Sequence, residues 1–193
     1  MVPLSQALDV MEVRSAVQSD AKAIASLHAD SWRFAYRNAF TDQYLDQEAT
    51  QDRLAFWQGR LQSPEPNQHV LVLVDRTALI GFVSVYTDHH PEFGSFLNNL
   101  HVAKEHLRQG HGSRLMSAVR DCCKLEAPSS PVYLLVLESN SRAQAFYARL
   151  GGTFQRSYPW TPPGGGTIPL RQFVWPSPDN IQLDSMSGFR SNG

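Results

Sequence analysis

The clearest pattern of hydrophobic and polar positions lies near the middle of the chain. Two almost unbroken apolar segments, residues 70–74 and 78–86, flank the polar triplet Asp75-Arg76-Thr77. Apolar runs on either side of a short polar turn predict a β-hairpin. Because apolar and polar residues do not alternate along these runs, we expect both faces of the sheet to be covered, with helices as the cover.

Helical periodicity precedes this hairpin. Residues 12–17 predict a first strand, and residues 20–34 predict a helix that follows it directly. A second helix is predicted shortly afterwards, where Leu54, Trp57 and Leu61 recur at helical spacing. Predicted helices of this kind are the candidates to cover the sheet.

A strand, a glycine-bearing loop and a helix are predicted next. Residues 97–102 predict the strand, Gly110 and Gly112 lie in the loop, and apolar periodicity from Leu115 indicates the helix. Such a junction leaves unpaired backbone N–H groups at the positive end of a helix, and glycines let a ligand approach the chain closely. The pattern therefore favours binding of a diphosphate.

The spacing of these glycines excludes two familiar phosphate loops. A P-loop needs Gly-x4-Gly-Lys followed by Ser or Thr, and a dinucleotide-binding loop needs Gly-x-Gly-x-x-Gly after an early strand. The chain has only Gly-x-Gly, deep in the sequence and with no lysine after the second glycine. A dinucleotide-binding oxidoreductase is thus disfavoured, while a plain tight turn remains an alternative.

A second strand-to-helix unit follows about thirty residues later. Residues 132–137 are continuously apolar and predict a strand. Ser141 and Gln144 have the spacing of a capping box, and Gly151 stands where a helix C-terminus favours a left-handed residue. The chain thus predicts two consecutive strand-to-helix units.

The C-terminal part predicts two closing strands and a tail. Residues 154–158 and 170–175 have strand character, and residues 159–169 between them contain too many glycines and prolines for a strand interior. Residues 176–193 show little apolar periodicity, so we expect a mobile tail there. The folded domain is accordingly expected to span residues 1–175.

Composition narrows the class of protein. The chain has 193 residues, 42% of them hydrophobic, and a formal net charge of −1. A single α/β domain can bury a core of that size without disulfides, and the two cysteines, Cys122 and Cys123, are adjacent, unlike a metal knuckle. There is no basic block, no RNA-binding aromatic signature and no apolar stretch of about 20 residues. We therefore expect no nucleic-acid or membrane partner and a cytoplasmic location.

Three motifs together carry a family resemblance. They are Leu-x-Asn-Leu-x-Val at 97–102, Gly-x-Gly-Ser-x-Leu-Met at 110–116, and Asn-x-x-Ala-x-x-Phe-Tyr-x-x-Leu-Gly at 140–151. In this order and spacing the sequence resembles the GNAT superfamily of acetyl-CoA-dependent N-acetyltransferases. The N-terminal residues His28, Ser31, Trp32 and Tyr36, with Arg53 and Trp57, are similar to a bacterial group within that superfamily. One departure is Leu107, where the family usually has Arg or Gln; Arg108 beside it could supply the charge.

The resemblance implies a fold and an activity. The expected fold is a single α/β GNAT-like domain, with a central mixed, strongly twisted β-sheet and helices on both faces. The expected reaction moves an acetyl group from acetyl-CoA, as co-substrate, to a primary amine of a small molecule or a peptide. Direct attack of a neutral amine needs a base, donors for the developing oxyanion, and a group that stabilises the leaving thiolate.

The resemblance also implies roles for individual residues. Tyr147 is the candidate acid for the leaving thiolate, and His101 is the nearest titratable candidate for the base. Trp32 and Tyr36 are candidates to line the acceptor pocket, although aromatic residues at helical spacing are more often core. The residues implied in cofactor binding are Leu100, His101, Val102, Arg108, Gln109, Gly110, His111, Gly112, Ser113, Asn140, Phe146 and Tyr147.

The base remains open on sequence alone. An unperturbed imidazole with a pKa of about 6.5 would suit His101 to the role, but strand histidines are often structural. His89, His90, Glu92 or a water chain to solvent are alternatives. The five-residue spacing of His101, His106 and His111 places them on no common face, so no metal is expected.

The resemblance also bears on the partners of the protein and on an alternative function. The acceptor is a small-molecule or peptide amine of undetermined identity, and self-association into a homodimer is compatible with the class. The alternative is a non-catalytic acyl-CoA-binding or interaction module on the same fold. The presence of both Asn140 and Tyr147 favours the enzyme.

Overall fold

The computed structural model describes residues 11–37, 39–162 and 166–183. These residues form one seven-stranded mixed sheet in the order β1-β2-β3-β4-β5-β7-β6. The strands are β1 (Met11–Ser15), β2 (Gln68–Asp75), β3 (Ala78–His90), β4 (Gly94–Val102), β5 (Val132–Leu137), β6 (Thr153–Trp160) and β7 (Ile168–Trp175). Only β4 and β5 pair in parallel; the other neighbours are antiparallel.

Four α-helices accompany the sheet within the described ranges. They are α1 (Ala21–Ala35), α2 (Ala49–Gln62), α3 (His111–Glu126) and α4 (Ser141–Arg149). A π-helical segment, Tyr44–Glu48, leads into α2. No helix among the described residues is long and apolar enough to cross a membrane.

The predicted hairpin is β2 and β3, and it is covered on both faces. Val70 and Val72 belong to a cluster with Ile24 of α1 and Trp57 of α2. Leu71 and Leu73, on the opposite face, pack in the larger core with α3 residues such as Leu115, Met116 and Val119. The expected mixed sheet with helices on both faces is confirmed, because neighbouring residues of one strand are buried against different helices.

The start of α4 differs from the predicted capping box. Asn140 is the N-cap, and its Oδ1 accepts a hydrogen bond of 3.1 Å from the amide of Ala143. Gln144 instead donates to the carbonyls of Leu137 and Glu138, at the end of the preceding strand. The predicted Ser141 box is wrong by one residue, since Asn140 competes for the same amides.

The two closing strands are longer than predicted. Pro159 and Pro169 pair within the antiparallel β6 and β7 ladder, near its end, so the connecting loop is shorter than residues 159–169. Part of that loop, residues 163–165, lies outside the described residues. A proline is tolerated there because β6 is an edge strand and the pair lies close to the strand ends.

The packed domain continues beyond the expected boundary at residue 175. Ile181 is 2% exposed and belongs to the main core, and the amide of Gln182 donates to the carbonyl of Leu150 at 2.9 Å. The expectation of a mobile tail from residue 176 is therefore wrong for residues 176–183. The remaining residues of the expected tail, 184–193, lie outside the described residues.

Candidate active site

The parallel strands β4 and β5 separate partway along their length. Their ladder consists of Ser95 with Val132, Phe96 with Tyr133, and Leu97 with Leu134, and it ends there although both strands continue. The register of β4 against β3 shifts at the same point. A cleft of about 1700 Å³ opens between the diverging strands.

The shift in register is a β-bulge at Asn98. Ser84 of β3 pairs with Asn99 and Val85 pairs with Leu97, which leaves Asn98 as the extra residue. A bulge bends its strand and redirects nearby side chains. It accounts for the departure of β4 from β5 and leaves the facing backbone groups of both strands outside the ladder.

The N-terminus of α3 lies at the open end of this cleft. Gly110 precedes the helix with a φ of 83°, and Arg108 has a φ of 65°, both in the left-handed region. The basic residues Lys104, Arg108, Arg142 and Arg149 also line the cleft. Helix amides and cations together form an anion-binding environment.

Gly112 serves packing rather than open access. A Cβ at this position would lie 3.1 Å from Cζ of Phe146 in α4. The absent side chain thus allows α4 to pack against the first turn of α3. At Gly110, by contrast, no atom lies within 4 Å of the Cβ position, so its positive φ is the reason for glycine.

Most of the predicted site residues come together in the cleft. Those lining it are Trp32, Tyr36, Leu100, His101, Val102, Arg108, Gly110, His111, Gly112, Ser113, Asn140, Phe146 and Tyr147. Gln109 is the exception, since it does not line the cleft; its exposed side chain donates to the carbonyl of Glu105 at 3.1 Å. The Asn140 carboxamide oxygen is already engaged as the cap of α4.

Tyr147 and Tyr36 both carry their protons at neutral pH. Tyr147 is 8% exposed, and burial, with Tyr36 nearby, raises its pKa above the ordinary value. Burial likewise raises the pKa of Tyr36 to about 12. Each phenol therefore offers an O–H donor to a ligand in the cleft.

His101, which is half-buried, lies beside the buried His28. Its ring centroid is 4.6 Å from that of His28 in α1 and 5.1 Å from that of Phe82. Burial lowers the pKa of His101 to about 4. His28 and Phe82 help to remove the His101 imidazole from water, which disfavours its charged form.

The alternative bases lie elsewhere. His89, His90 and Glu92 do not line the cleft. His89 contacts the Tyr133 hydroxyl at 3.1 Å, and the His90 ring accepts from the Glu92 amide at 3.1 Å. Among the described residues, no group of three or more His, Cys, Asp or Glu side chains has the arrangement of a metal site.

The sequence of the elements that form the cleft also matches a protein-family model. Residues 23–152 match the model of the acetyltransferase (GNAT) family. The chain belongs to this family. The match includes the diverging strands, the glycine loop and α4, which are the elements that form the cleft.

Solved structures share the fold of this GNAT domain. The PaiA N-acetyltransferase of Thermoplasma acidophilum, in complex with coenzyme A, is 17% identical, with a TM-score of 0.68 over 84% of this chain and 98% of its own. The yncA structure from Salmonella typhimurium, with its cofactor acetyl-CoA, is 19% identical, with a TM-score of 0.62 and coverages of 94% and 99%.

A third structure of the same fold has a named acceptor. A chimera of the spermidine N-acetyltransferase SpeG from Vibrio cholerae is 14% identical, with a TM-score of 0.63 over 89% of this chain and 97% of its own. Similarity at these identities establishes the fold alone. Among curated proteins, no sequence gives a significant match.

Two charged residues of α2 line the GNAT cleft although the sequence analysis did not predict them as site residues. Arg53 and Arg60 of α2 line the cleft together with Phe56. Trp57, in contrast, is fully buried and belongs to the core. The positions of Arg53, Phe56 and Arg60 differ by three and four residues, so helical spacing alone could have placed them on one face.

Proposed function

We propose that this GNAT domain transfers an acetyl group from acetyl-CoA to a primary amine by direct attack within a ternary complex. The observation that carries the proposal is the cleft between β4 and β5, which leads to the N-terminus of α3. An extended thioester-bearing arm fits between two strands that have stopped pairing with each other. The diphosphate of the same molecule fits the helix terminus and its surrounding cations.

The cofactor side of the site uses mainly backbone groups. Leu100, His101 and Val102 follow the bulge on β4 and would hydrogen-bond the pantetheine arm. Amides from Arg108 to Ser113 would bind the diphosphate, with the basic side chains at the cleft mouth adding positive charge. Phe146 would pack along the arm.

The reaction forms a C–N bond and breaks a C–S bond. The amine must be neutral to attack, it loses one proton, and coenzyme A leaves as a thiolate that takes up one proton. The Tyr147 phenol would donate a hydrogen bond to the departing sulfur. An ordinary phenol is a weaker acid than a thiol by about 1.5 pKa units, and burial of Tyr147 widens that gap, so stabilisation by hydrogen bonding outweighs proton transfer.

His101 has a complementary role in this proposal. With a pKa of about 4 its imidazole is neutral at pH 7 and offers one ring nitrogen as an acceptor. Complete transfer of a proton from an alkylammonium to this imidazole would be strongly unfavourable. His101 would therefore accept a hydrogen bond from the amine and orient its lone pair, while the proton passes to solvent.

Calorimetric titration with acetyl-CoA, coenzyme A and NAD tests the proposal. We expect micromolar binding of both thioester and free coenzyme, and no binding of NAD. Ser113→Glu places a negative charge in the first turn of α3, where it favours the helix but repels a diphosphate. Ser113→Gln has nearly the same size without the charge, and it is the matched control.

The two variants separate the possible outcomes. Diphosphate binding at α3 is supported if Ser113→Glu binds acetyl-CoA at least tenfold more weakly than Ser113→Gln does. No acetyl-CoA binding by folded wild-type protein would overturn the proposal. Binding without release of free thiol in the presence of any amine would favour the non-catalytic acyl-CoA module instead.

A further inference from the structure

The α2 side of the cleft carries two arginines in unusual surroundings. Arg53 is 8% exposed, and its guanidinium lies 4.4 Å from the ring centroids of both Trp32 and Phe56. It forms an ion pair with Asp52 at 3.0 Å, but its Nε is buried and has no hydrogen-bond partner. The Nε donor of Arg53 is therefore unsatisfied within the described residues.

Arg60 is the less compensated of the two. Its guanidinium lies 4.1 Å from the ring centroid of Phe56 and 5.4 Å from that of Tyr86, and it donates to Oδ1 of Asn98 at 2.9 Å. No carboxylate of the described residues lies within ion-pair distance of it. Burial lowers the pKa of Arg60, which means that the charged form lacks the solvation it would have in water.

The contact with Asn98 places Arg60 at the inner end of the cleft. Asn98 is the bulge residue, next to the last rung between β4 and β5. Val102 lies four positions further along β4, which corresponds to about 13 Å of strand. Arg60 is thus distant from the α3 terminus, where the diphosphate is proposed to bind.

Acidic side chains are confined to the rim of the cleft. Of the described residues that line it, only Asp30 and Glu105 are carboxylates, and both are exposed. Asp30 is already paired with Arg33 at 2.9 Å. A cationic acceptor such as a polyamine would meet like charges at the inner end and no buried counterion.

We propose that the acceptor is a primary amine that also carries a carboxylate, which Arg60 binds at the inner end of the cleft with Arg53 in support. The proposal rests on the acetyltransferase function proposed above and names its substrate class. A guanidinium presents paired N–H donors that match a carboxylate. The rings of Trp32, Phe56 and Phe96 form apolar walls around this position, which suits an amino acid with an apolar side chain.

The two cations also assist the chemistry. Positive charge near an amine lowers the pKa of its ammonium form and so increases the neutral fraction that can attack. The same field acts on His28, whose pKa is held well below its ordinary value by burial, with His101, Arg53 and Arg60 adding to the effect. The site therefore favours deprotonated nitrogen without a strong base.

A panel of matched acids and amides tests the proposal. The probes are L-phenylalanine, β-alanine and γ-aminobutyrate, each compared with its carboxamide, and spermidine as a cationic amine. Free-thiol release from acetyl-CoA gives kcat/KM for each. We expect kcat/KM for at least one acid to exceed that for its amide by tenfold or more. This preference would hold although the amine group of the amide is less basic, so that a larger fraction of it is neutral.

Variants of Arg60 connect this preference to the residue. Arg60→Gln keeps a donor for Asn98 but removes the charge, and we expect kcat/KM for the preferred acid to fall by about 10- to 100-fold. The value for its amide should fall by a smaller factor, because the amide loses only the effect of the charge on its ammonium pKa. Arg60→Lys should retain part of the preference, and Arg120→Gln, on the surface of α3, should leave it intact. Acetyl-CoA affinity, measured by calorimetry, and the unfolding temperature should be unchanged in Arg60→Gln.

The outcomes separate failure of this proposal from failure of the proposed function. Equal rates for acids and amides, preference for spermidine, or an acid preference that survives Arg60→Gln would each overturn the assignment of a carboxylate to Arg60. So would acetyl-CoA binding by a protein that neither binds nor acetylates any acid of the panel. Absence of acetyl-CoA binding would instead remove the acetyltransferase function, and the acceptor proposal with it.

Discussion

The indole N–H of Trp57 donates a hydrogen bond of 3.0 Å to Nδ1 of His28. Because the indole nitrogen can only donate, His28 Nδ1 must accept, and the neutral ring carries its proton on Nε2. That Nε2 is buried and has no protein partner. A proton on Nδ1 would place two N–H donors, that of Trp57 and that of His28, against each other. The contact with Trp57 therefore stabilises the neutral form of His28, whose ring lies beside that of His101.

Stability should fall as the solution is acidified through the titration range of these histidines. Burial lowers the pKa of His101 to about 4, whereas the unfolded chain binds the same proton at about pH 6.5. Below pH 6.5 the unfolded state holds more protons, so the free energy of unfolding falls with pH until the folded state is protonated too. For His101 alone we expect a loss of about 2–3 kcal/mol between about pH 7.5 and about pH 4.5.

Urea unfolding at both pH values measures this loss, and a variant isolates it. His101→Gln should flatten the pH dependence by the stated amount, because glutamine does not titrate. An equal slope in wild type and His101→Gln would show that His101 is not held neutral by the fold.

Tyr147→Phe should slow turnover without abolishing it. The hydroxyl stabilises the leaving thiolate in the proposed reaction. Acid catalysis usually contributes a rate factor of about 10²–10⁴, and a group that only donates a hydrogen bond contributes less. We expect kcat to fall by about 10- to 1000-fold. Free-thiol release measures kcat, and calorimetry should give an unchanged Kd for acetyl-CoA.

Tyr158→Phe is the matched control for this substitution. Tyr158 lies on β6, contacts Gln172 and does not line the cleft, so its hydroxyl should not affect kcat. Unchanged turnover in Tyr147→Phe, with acetyl-CoA binding intact, would remove Tyr147 from the mechanism. A similar decrease in both variants would point to a general effect on the sheet.

Gly112→Ala should destabilise the protein through Phe146. The new Cβ would lie 3.1 Å from the phenyl ring, which is tighter than ordinary contact, and overpacking of this kind costs about 1–3 kcal/mol. In a Phe146→Leu background the ring is gone, so the same substitution should cost much less. Urea unfolding of the four proteins in this double-mutant cycle measures the coupling.

Gly59→Ala provides the contrasting case. Gly59 lies inside α2, and apart from its chain neighbours and the backbone of its own helix no described residue has an atom within 4 Å of its Cβ position. Alanine there should stabilise the helix by up to about 1 kcal/mol. If Gly112→Ala were stabilising like Gly59→Ala, or if its effect were the same with and without Phe146, the close approach of α3 and α4 would be refuted.

The sequence predicts what depends on local pattern and misses what depends on distant packing. The hairpin of β2 and β3 and the strand-loop-helix unit around Gly110 follow from apolar runs and glycine positions. The lowered pKa of His101 could not be predicted, because it arises from His28 and Phe82, which come from other elements. The position of Arg60 at the cleft is likewise set by its contact with Asn98, thirty-eight residues away in the chain.

The segment after β7 is another part of the molecule whose packing could not be predicted from the sequence. Residues 176–183 have no apolar periodicity, yet Ile181 fills a position in the core beside Leu150 and Trp175. Two apolar residues, Ile181 and the partly buried Leu183, are too few to give a sequence signal, although the burial of Ile181 is nearly complete. Gly151 fits this arrangement, since a Cβ there would lie 2.8 Å from the carbonyl oxygen of Asn180.

Ile181→Ala should therefore destabilise the domain as a core substitution does, by about 2–4 kcal/mol. Asp179→Ala, two residues earlier, removes a surface ion pair with Lys124 and should cost less than about 1 kcal/mol. Urea unfolding compares the two variants with wild type. A cost for Ile181→Ala as small as that of Asp179→Ala would mean that the segment does not hold its place in the core, and the domain would then end at β7.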